Sequence, residues 1–175
     1  MTQQQTVHFV VMGVSGCGKT TAALALQQHF DCAYAEGDDF HTQANRDKMG
    51  AGIPLTDEDR YPWLRNLRDW MTAQAEGGAA YSVVTCSALK RQYRDILREA
   101  AGKVVFVHLA PPHEVNLARM MARQGHYMKA EMLASQEAIL EELGSDEAGV
   151  RIDNAGEPAE VEAEMLARVK AQNFL

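Results

Sequence analysis

The chain has 175 residues, of which 46% are hydrophobic and 23% charged, and its formal net charge is −7. This length and composition are typical of one soluble globular α/β domain with a full-sized core, and we expect residues 1–175 to form a single domain. The negative charge argues against a general nucleic-acid or membrane-surface binder, because those partners are themselves anionic.

The residues ahead of the first apolar run are polar and lack the basic and apolar regions of a signal peptide. No apolar run approaches the ~18 residues of a membrane span. The cysteines are Cys17, Cys32 and Cys86, and their spacing favours reduced thiols over a disulfide frame or a zinc site. We therefore expect a cytoplasmic protein.

A phosphate-binding loop follows the first expected strand, Val7 to Met12, and precedes a helix expected from Lys19 to Phe30. The loop matches G-x-x-x-x-G-K-[ST] in full, with the residues Gly13, Val14, Ser15, Gly16, Cys17, Gly18, Lys19 and Thr20. Glycines at this spacing let consecutive backbone N–H groups converge with a helix N-terminus on an anion. Lys19 then reaches the β- and γ-phosphates, and the Thr20 hydroxyl is placed for Mg²⁺. Residues 13–20 therefore predict a nucleoside triphosphate site.

One position of this loop, Cys17, has two interpretations. A thiol in an electropositive loop tends to have a lowered pKa, which would make Cys17 redox-sensitive. A small filler side chain at a variable loop position is the simpler interpretation, and the residues alone favour it.

Acidic residues follow the second expected strand, Cys32 to Ala35. Carboxylates at the carboxyl ends of parallel strands project into the crevice where α/β sheets bind ligands. Glu36 and Asp38 are therefore candidates for chemistry, whereas Asp39 is more simply a helix cap.

Beyond these acids we expect a short helix from His41 to Met49 and a loop from Gly50 to Leu55. A capping-box pattern then opens a helix that runs from Thr56 to about Ala75. Arg60 lies one turn into this helix beside two aspartates, and a solvated, salt-bridged arginine is the default interpretation of that pattern.

Basic residues open the helix that follows the third strand. We expect the strand at Tyr81 to Cys86 and the helix from Ser87 to Arg98. Its first turns carry Lys90, Arg91 and Arg94, contrary to the usual preference for acids near a helix N-terminus. Cations gathered at the carboxyl end of a strand, in an acidic protein, predict the capture of an anionic substrate group.

A helix expected from His113 to Gln124 presents Arg119 and Arg123 on one face. A loop from Gly125 to Lys129 interrupts it, and a further helix is expected from about Glu131 to Glu142. Residues of about 119–133 therefore predict a lid that closes over a phosphoryl-transfer site and supplies arginines to it.

The remaining strands are expected at Val104 to Leu109 and Gly149 to Asp153, and a last helix at Pro158 to about Gln172. The alternation of five apolar strands with helices predicts a three-layer α/β fold with a parallel sheet.

Sequence patterns also separate the classes of P-loop protein. GTPases carry an N-K-x-D guanine motif, which this chain lacks. Motor and transporter ATPases need a longer chain and an apolar strand ending in Asp after the loop, and neither the third nor the fourth strand ends that way. A carboxylate after strand two, a basic helix after strand three and a late Arg-x-x-x-Arg favour the small-molecule and nucleoside monophosphate kinases.

Motifs along nearly the whole chain resemble those of the bacterial gluconate kinases, P-loop kinases of the shikimate-kinase-like type. The resemblance rests on Met12 to Gly16; Glu36 to His41 with Asn45, Lys48 and Met49; Gly52 to Leu64; Cys86 to Lys90 with Tyr93 to Asp95; and Gly125 to Met128. Together these segments are far more specific than the phosphate loop. The resemblance implies a nucleoside-monophosphate-kinase-like fold with a small helical lid and a substrate-binding region at about 36–64.

The same resemblance implies transfer of the γ-phosphoryl group of ATP to the 6-hydroxyl of D-gluconate, with Mg²⁺, in a protein that is often a homodimer. The chain departs from the family pattern at Glu36, where Asp is common, and at Thr42 and Leu143, where Pro is common. The first departure leaves open whether Glu36 or Asp38 orients the waters of Mg²⁺.

We assign residue roles on this basis. Asp38 orients or deprotonates the 6-hydroxyl. Lys19, Arg123 and Mg²⁺ held through Thr20 offset the charge on the transferring group. By resemblance to related kinases, Arg119 stacks on the adenine. The expected substrate-side residues are Asp38, His41, Arg60, Lys90, Arg94 and His126, with Arg60 as the carboxylate partner and His126 as a lid contact.

Two alternatives stay open. The chain could phosphorylate another anionic metabolite, such as shikimate or a different sugar acid. It could also be a nucleotide-binding switch without a small-molecule substrate, although that interpretation leaves the cations at Lys90 and Arg94 unexplained.

Overall fold

The computed structural model describes residues 5–122 and 127–172. Within these residues five parallel strands form one sheet in the order β2-β3-β1-β4-β5. The strands are β1 Val7–Met12, β2 Ala33–Glu36, β3 Tyr81–Thr85, β4 Lys103–Leu109 and β5 Gly149–Ile152.

Seven α-helices and one 3-10 turn connect and follow the described strands. They are α1 Lys19–Phe30, the 3-10 turn Gly37–Phe40, α2 Gln43–Gly50, α3 Asp57–Glu76, α4 Arg91–Leu97, α5 His113–Ala122, α6 Tyr127–Ile139 and α7 Pro158–Ala171. In the part of the chain that the structure describes, no helix combines the length and the apolar character needed to cross a bilayer.

The central strand β1 explains why the layers form. All six of its residues are buried, and its side chains alternate between the two faces of the sheet. Phe9 and Val11 join a core with α1 and α7, whereas Val10 and Met12 join a second core with α3 and α4. Helices thus cover both faces of a five-stranded parallel sheet, which confirms the predicted fold class.

Two helix starts differ from the sequence-based expectation by more than two residues. Helix α4 begins at Arg91 instead of Ser87, because Ala88 has a φ of 45° and Lys90 is extended at the N-cap. Helix α6 begins at Tyr127, whereas the sequence predicts a start at about Glu131. The first difference removes Lys90 from the helix and leaves it on the loop that follows β3.

Candidate active site

The phosphate loop lies between the end of β1 and the start of α1, and its glycines are required by its shape. Gly16 and Gly18 have φ values of 79° and 94°, in the left-handed region that disfavours other residues. A Cβ at Gly16 would lie 2.5 Å from Cγ of Met120. The Nζ of Lys19 donates to the carbonyls of Gly13 and Val14, at 3.1 Å each, so the ammonium group lies against the loop.

Cys17 is a packing residue in this loop. Its side chain has no solvent exposure, and a Cβ at Gly13 would lie 2.7 Å from its Sγ. Burial raises the pKa of the Cys17 thiol, against the opposing charges of Lys19 and Arg119. The suggested lowering of its pKa is therefore wrong, because desolvation outweighs the nearby cations.

A carboxylate lies directly beside the first helical hydroxyl. The Thr20 hydroxyl donates to the two carboxylate oxygens of Glu36 at 3.3 and 3.2 Å, and the Tyr34 hydroxyl donates to the same carboxylate. A hydroxyl and a carboxylate are oxygen ligands that suit Mg²⁺. The described residues contain no cluster of three or more His, Cys, Asp or Glu that could hold a metal. The donors therefore fit an ion that takes most of its ligands from water and phosphate.

Asp38 is carried by the 3-10 turn after β2, and this turn is anchored from two sides. The N–H of Gly37 donates to Oγ1 of Thr85 at 3.0 Å, and Nε1 of Trp63 donates to the carbonyl of Gly37 at 2.8 Å. A Cβ at Gly37 would lie 1.9 Å from the carbonyl oxygen of Thr85, so only glycine fits. The Asp38 side chain itself is 85% exposed. The turn therefore presents an exposed carboxylate at the carboxyl edge of the sheet.

His41 packs closely beside Asp38. Its ring stacks on Trp63 with centroids 4.2 Å apart, and its Nε2 lies 4.0 Å from Oδ1 of Asp38. The Nδ2 of the buried Asn45 lies 3.2 Å from Nδ1 of His41. Burial lowers the pKa of His41, and the Asp38 charge opposes this shift. His41 is therefore a neutral ring at pH 7 and contributes hydrogen bonding and shape.

Two of the predicted substrate cations meet at one carboxylate. The Nζ of Lys90 lies 3.2 Å from Oδ1 of Asp57, and the same oxygen lies 3.8 Å from Nη1 of Arg60. The Tyr93 hydroxyl accepts from Arg60 at 3.0 Å and donates to Asp57. The hydrogen bond from Tyr93, followed by that from Lys90, lowers the pKa of Asp57. We call these four residues, Asp57, Arg60, Lys90 and Tyr93, the Asp57 cluster.

Arg94 does not have the substrate-binding role that the sequence predicts for it. Its side chain has no solvent exposure, and its Nε lies 2.7 Å from the buried carboxylate of Glu147. Its two terminal nitrogens donate to Glu147, Ala88 and Glu142 among others. All three nitrogens are thus bound within the protein, so Arg94 is a structural residue and not a substrate ligand. Glu147 lies 53 residues away, and no local pattern points to it.

Arg119 lines a cavity of about 430 Å³ next to the phosphate loop. Gly16, Gly18, Asn154 and Pro158 also line this cavity, which opens between α1, α5 and the start of α7. The contact of Arg119 with the adenine stays a prediction. Arg123 and His126 lie outside the described residues.

Comparison with known proteins places this geometry in a family. Residues 4–138 match the family model described as adenylylsulphate kinase. The chain is 43% identical to a gluconokinase of Gluconobacter oxydans strain 621H, over 94% of this chain and 92% of that protein.

Solved structures agree with that match over nearly the whole chain. A sugar kinase from Janibacter sp. HTCC2649 is 48% identical with a TM-score of 0.87, covering 94% of this chain and 95% of that one. A gluconokinase from Sinorhizobium meliloti 1021 is 38% identical with a TM-score of 0.84, covering 98% of this chain and 94% of that one. The chain therefore belongs to the gluconokinase family and has the fold of the P-loop kinases.

Proposed function

We propose that this chain transfers the γ-phosphoryl group of ATP to the 6-hydroxyl of D-gluconate, which gives 6-phospho-D-gluconate. The observation that supports it best is that the phosphate loop, Asp38 and the Asp57 cluster are all tied to the carboxyl end of β3. The N–H of Gly37, next to Asp38, donates to Oγ1 of Thr85 at 3.0 Å, and the N–H of Gly13 in the phosphate loop donates to the carbonyl of Ser87 at 3.3 Å. Lys90, which follows on the same segment, lies 3.2 Å from Asp57.

The donor half binds the triphosphate through the loop backbone and Lys19. In this proposal Lys19 leaves the carbonyls of Gly13 and Val14, whose contacts are neutral, and donates to the β- and γ-phosphates. Arg119 covers the adenine in the adjoining cavity, and Arg123 adds positive charge at the transferring group. Because the transition state is loose, alignment of these groups contributes more than covalent chemistry.

Thr20 and Glu36 are the residues that would hold Mg²⁺. When bound, the ion neutralises charge on the β- and γ-oxygens. The contact between Thr20 and Glu36 favours Glu36, and not Asp38, as the carboxylate that orients the waters of the ion. This assignment leaves Asp38 available for the acceptor.

Asp38 accepts the proton of the gluconate 6-hydroxyl as the hydroxyl oxygen attacks the γ-phosphorus, and the bond from the γ-phosphorus to the bridging oxygen breaks and releases ADP. The proposal assigns that proton to a carboxylate because Asp38 is exposed and its backbone is anchored to β3 and α3. His41 lies beside it and contacts the substrate hydroxyls, with His126 as the lid contact. Positioning of the hydroxyl matters more than basicity in a loose transition state.

Arg60 and Lys90 bind the carboxylate at the other end of gluconate. Both are half-buried, with side-chain exposures of 22% and 27%, so their charges are partly desolvated and act strongly on an anion. In the free protein Asp57 pairs with both cations. When gluconate binds, its carboxylate shares these contacts with Asp57 or replaces them. Arg94 has no part in the proposal.

A coupled assay for ADP release tests the substrate. With ATP and Mg²⁺, we expect turnover with D-gluconate and at least about 100-fold lower kcat/KM with shikimate or adenylylsulphate, because neither matches the spacing of hydroxyl and carboxylate. A preference for shikimate would support the alternative kinase. Absence of turnover with every sugar acid would support the nucleotide-binding switch.

The variant Asp38→Asn tests the proton acceptor. We expect kcat to fall by about 100-fold or more with KM for ATP unchanged, because the amide accepts no proton. Nearly full kcat in this variant would exclude Asp38 as the base.

We also propose, on the family resemblance alone, that the protein is a cytoplasmic homodimer. Size-exclusion chromatography with light scattering would give twice the monomer mass of 19.3 kDa if the dimer forms.

A further inference from the structure

Three side-chain amides contact the backbone of the phosphate loop, and the proposed chemistry uses none of them. Nδ2 of Asn116 on α5 donates to the carbonyl of Ser15 at 3.1 Å. Nδ2 of Asn154, after β5, donates to the carbonyl of Cys17 at 2.5 Å. Oε1 of Gln136 on α6 accepts from the N–H of Ser15 at 2.7 Å.

These contacts determine which way the loop's peptide groups face. In a planar trans peptide the carbonyl of one residue and the N–H of the next point in opposite directions. The described residues contain no cis peptide bonds. When Asn116 holds the carbonyl of Ser15, the N–H of Gly16 therefore points the other way. In the same way, Asn154 holds the carbonyl of Cys17, so the N–H of Gly18 points away from Asn154.

The peptide between Val14 and Ser15 is turned in the opposite sense. Its N–H donates to Gln136, and its carbonyl accepts from Nζ of Lys19. The N–H of Ser15 is therefore hydrogen-bonded to Gln136 on α6. The carbonyls of Ser15 and Cys17 are hydrogen-bonded to the two asparagines. Side chains outside the loop thus select which N–H groups are left for an anion.

Asn116 carries an unusual cost for this contact. Its side chain is buried, with 1% of the residue exposed, and within the described residues its Oδ1 has no hydrogen-bond partner. A buried carbonyl without a partner destabilises a protein, and a leucine of similar size would avoid that cost. Within the described residues, the one hydrogen bond that its side chain makes runs to the phosphate loop, so an asparagine here serves the loop more than the core.

We propose that Asn116 and Asn154 are positioning residues that preorganise the phosphate cradle by turning the N–H groups of Gly16 and Gly18 toward the triphosphate. The inference rests on the proposed nucleotide site but not on gluconate as the acceptor. Preorganised N–H groups need no rearrangement when the anion arrives, so each asparagine strengthens binding of the phosphates without touching them.

The test compares Asn154→Ala with Asn66→Ala. Asn66 makes the same kind of contact elsewhere, from its Nδ2 to the carbonyl of Phe40 at 3.3 Å, and serves as the matched control. Calorimetry measures binding of ATP, of tripolyphosphate and of adenosine to each purified protein. We expect Asn154→Ala to weaken ATP and tripolyphosphate binding by about 3- to 10-fold and to leave adenosine unchanged. The control should leave all three unchanged.

Adenosine is the ligand that decides the interpretation of Asn154, because this residue also lines the cavity beside Arg119. An equal loss of adenosine and ATP binding would overturn the proposal and make Asn154 a base contact. Unchanged binding of all three ligands would also overturn it. Wild-type protein that binds ATP without phosphorylating gluconate would refute the proposed function and leave this inference standing.

Asn116→Leu separates positioning from stability. We expect ATP and tripolyphosphate binding to weaken by about 3- to 10-fold while the melting temperature stays level or rises, since the unpartnered Oδ1 is removed. A lower melting temperature with unchanged affinity per folded molecule would show a structural role only and overturn the assignment.

Discussion

The donor and acceptor halves of the site are built from different interactions. In the donor half, neutral amides and one ammonium group hold backbone atoms of the phosphate loop. In the acceptor half, charged side chains satisfy one another around Asp57. In the donor half the amides keep their contacts when the ligand binds and Lys19 exchanges two neutral carbonyls for phosphate, whereas in the acceptor half a cation paired with a carboxylate must exchange one anion for another. The affinity for gluconate should therefore depend strongly on ionic strength and on single charged residues. The conformation of the phosphate loop should depend on them less.

The largest effect is expected at Lys19, whose replacement would remove the donor half's main charge. Lys19→Ala should lower kcat by at least about 100-fold, because the charge on the transferring group loses its nearest cation. Steady-state kinetics against Lys170→Ala, an exposed lysine on α7, provides the check. A change confined to KM would show that Lys19 binds the ground state and the transition state equally.

Arg94 is expected to affect stability instead of substrate binding. Arg94→Met should lower the free energy of unfolding by about 3 kcal/mol, because Glu147 is left buried with weaker partners. The control Arg168→Met breaks an ion pair with Glu164 whose side chains are 52% and 43% exposed, and should lower the free energy of unfolding far less. Urea denaturation measures both. A raised KM for gluconate in folded Arg94→Met would return Arg94 to the acceptor half.

The same pair predicts a pH dependence. Burial alone would raise the pKa of Glu147, but hydrogen bonds from Arg94 and Arg98 outweigh it and lower the pKa to about 2 from an ordinary 4.5. A folded-state pKa below the unfolded value gives stability that is present above pH 4.5 and lost as the pH falls toward 2. Urea denaturation between pH 4.5 and pH 2 measures this dependence. As the pH falls, the free energy of unfolding should decrease less steeply in Glu147→Gln than in wild type.

Arg60 tests the acceptor half directly. Arg60→Ala should raise KM for gluconate by about 10- to 100-fold with little change in kcat, since it removes a charged contact from both ground and transition states. Arg65→Ala, an exposed arginine on the same helix, is the control. An unchanged KM would exclude Arg60 as the carboxylate partner.

The smallest effect is expected at Cys17. Burial raises the pKa of all three thiols, so exposure separates them, and iodoacetamide should modify the buried Cys17 and Cys86 more slowly than the partly exposed Cys32. Mass spectrometry with and without ATP measures the labelling of each thiol. Rapid labelling of Cys17 that ATP prevents would show that the loop opens in solution.

Much of the molecule follows from local patterns. β1, the phosphate loop and α1 were predicted with their observed bounds, because strand alternation, glycine spacing and helix propensity act over a few residues. The capping box at Thr56 also forms as predicted, with reciprocal contacts to Asp59. The start of α4 was predicted too early, since Ala88 has a left-handed φ of 45° and is buried in the same core cluster as Cys86 and Tyr93, which no local pattern indicates.

By itself, then, the sequence determined the alternation of five strands with helices, the donor loop and the carboxylate that follows β2. Tertiary structure alone decided between Lys90 and Arg94, which look alike in sequence but face an open cluster and a buried carboxylate. It also decided that Asn116 and Asn154 orient the phosphate loop, although they are separated by 101 and 137 residues along the chain from the loop residues that they contact. The physical reason is that charge and hydrogen-bond partners are chosen by distance in space, and partners so far apart in sequence leave no local pattern.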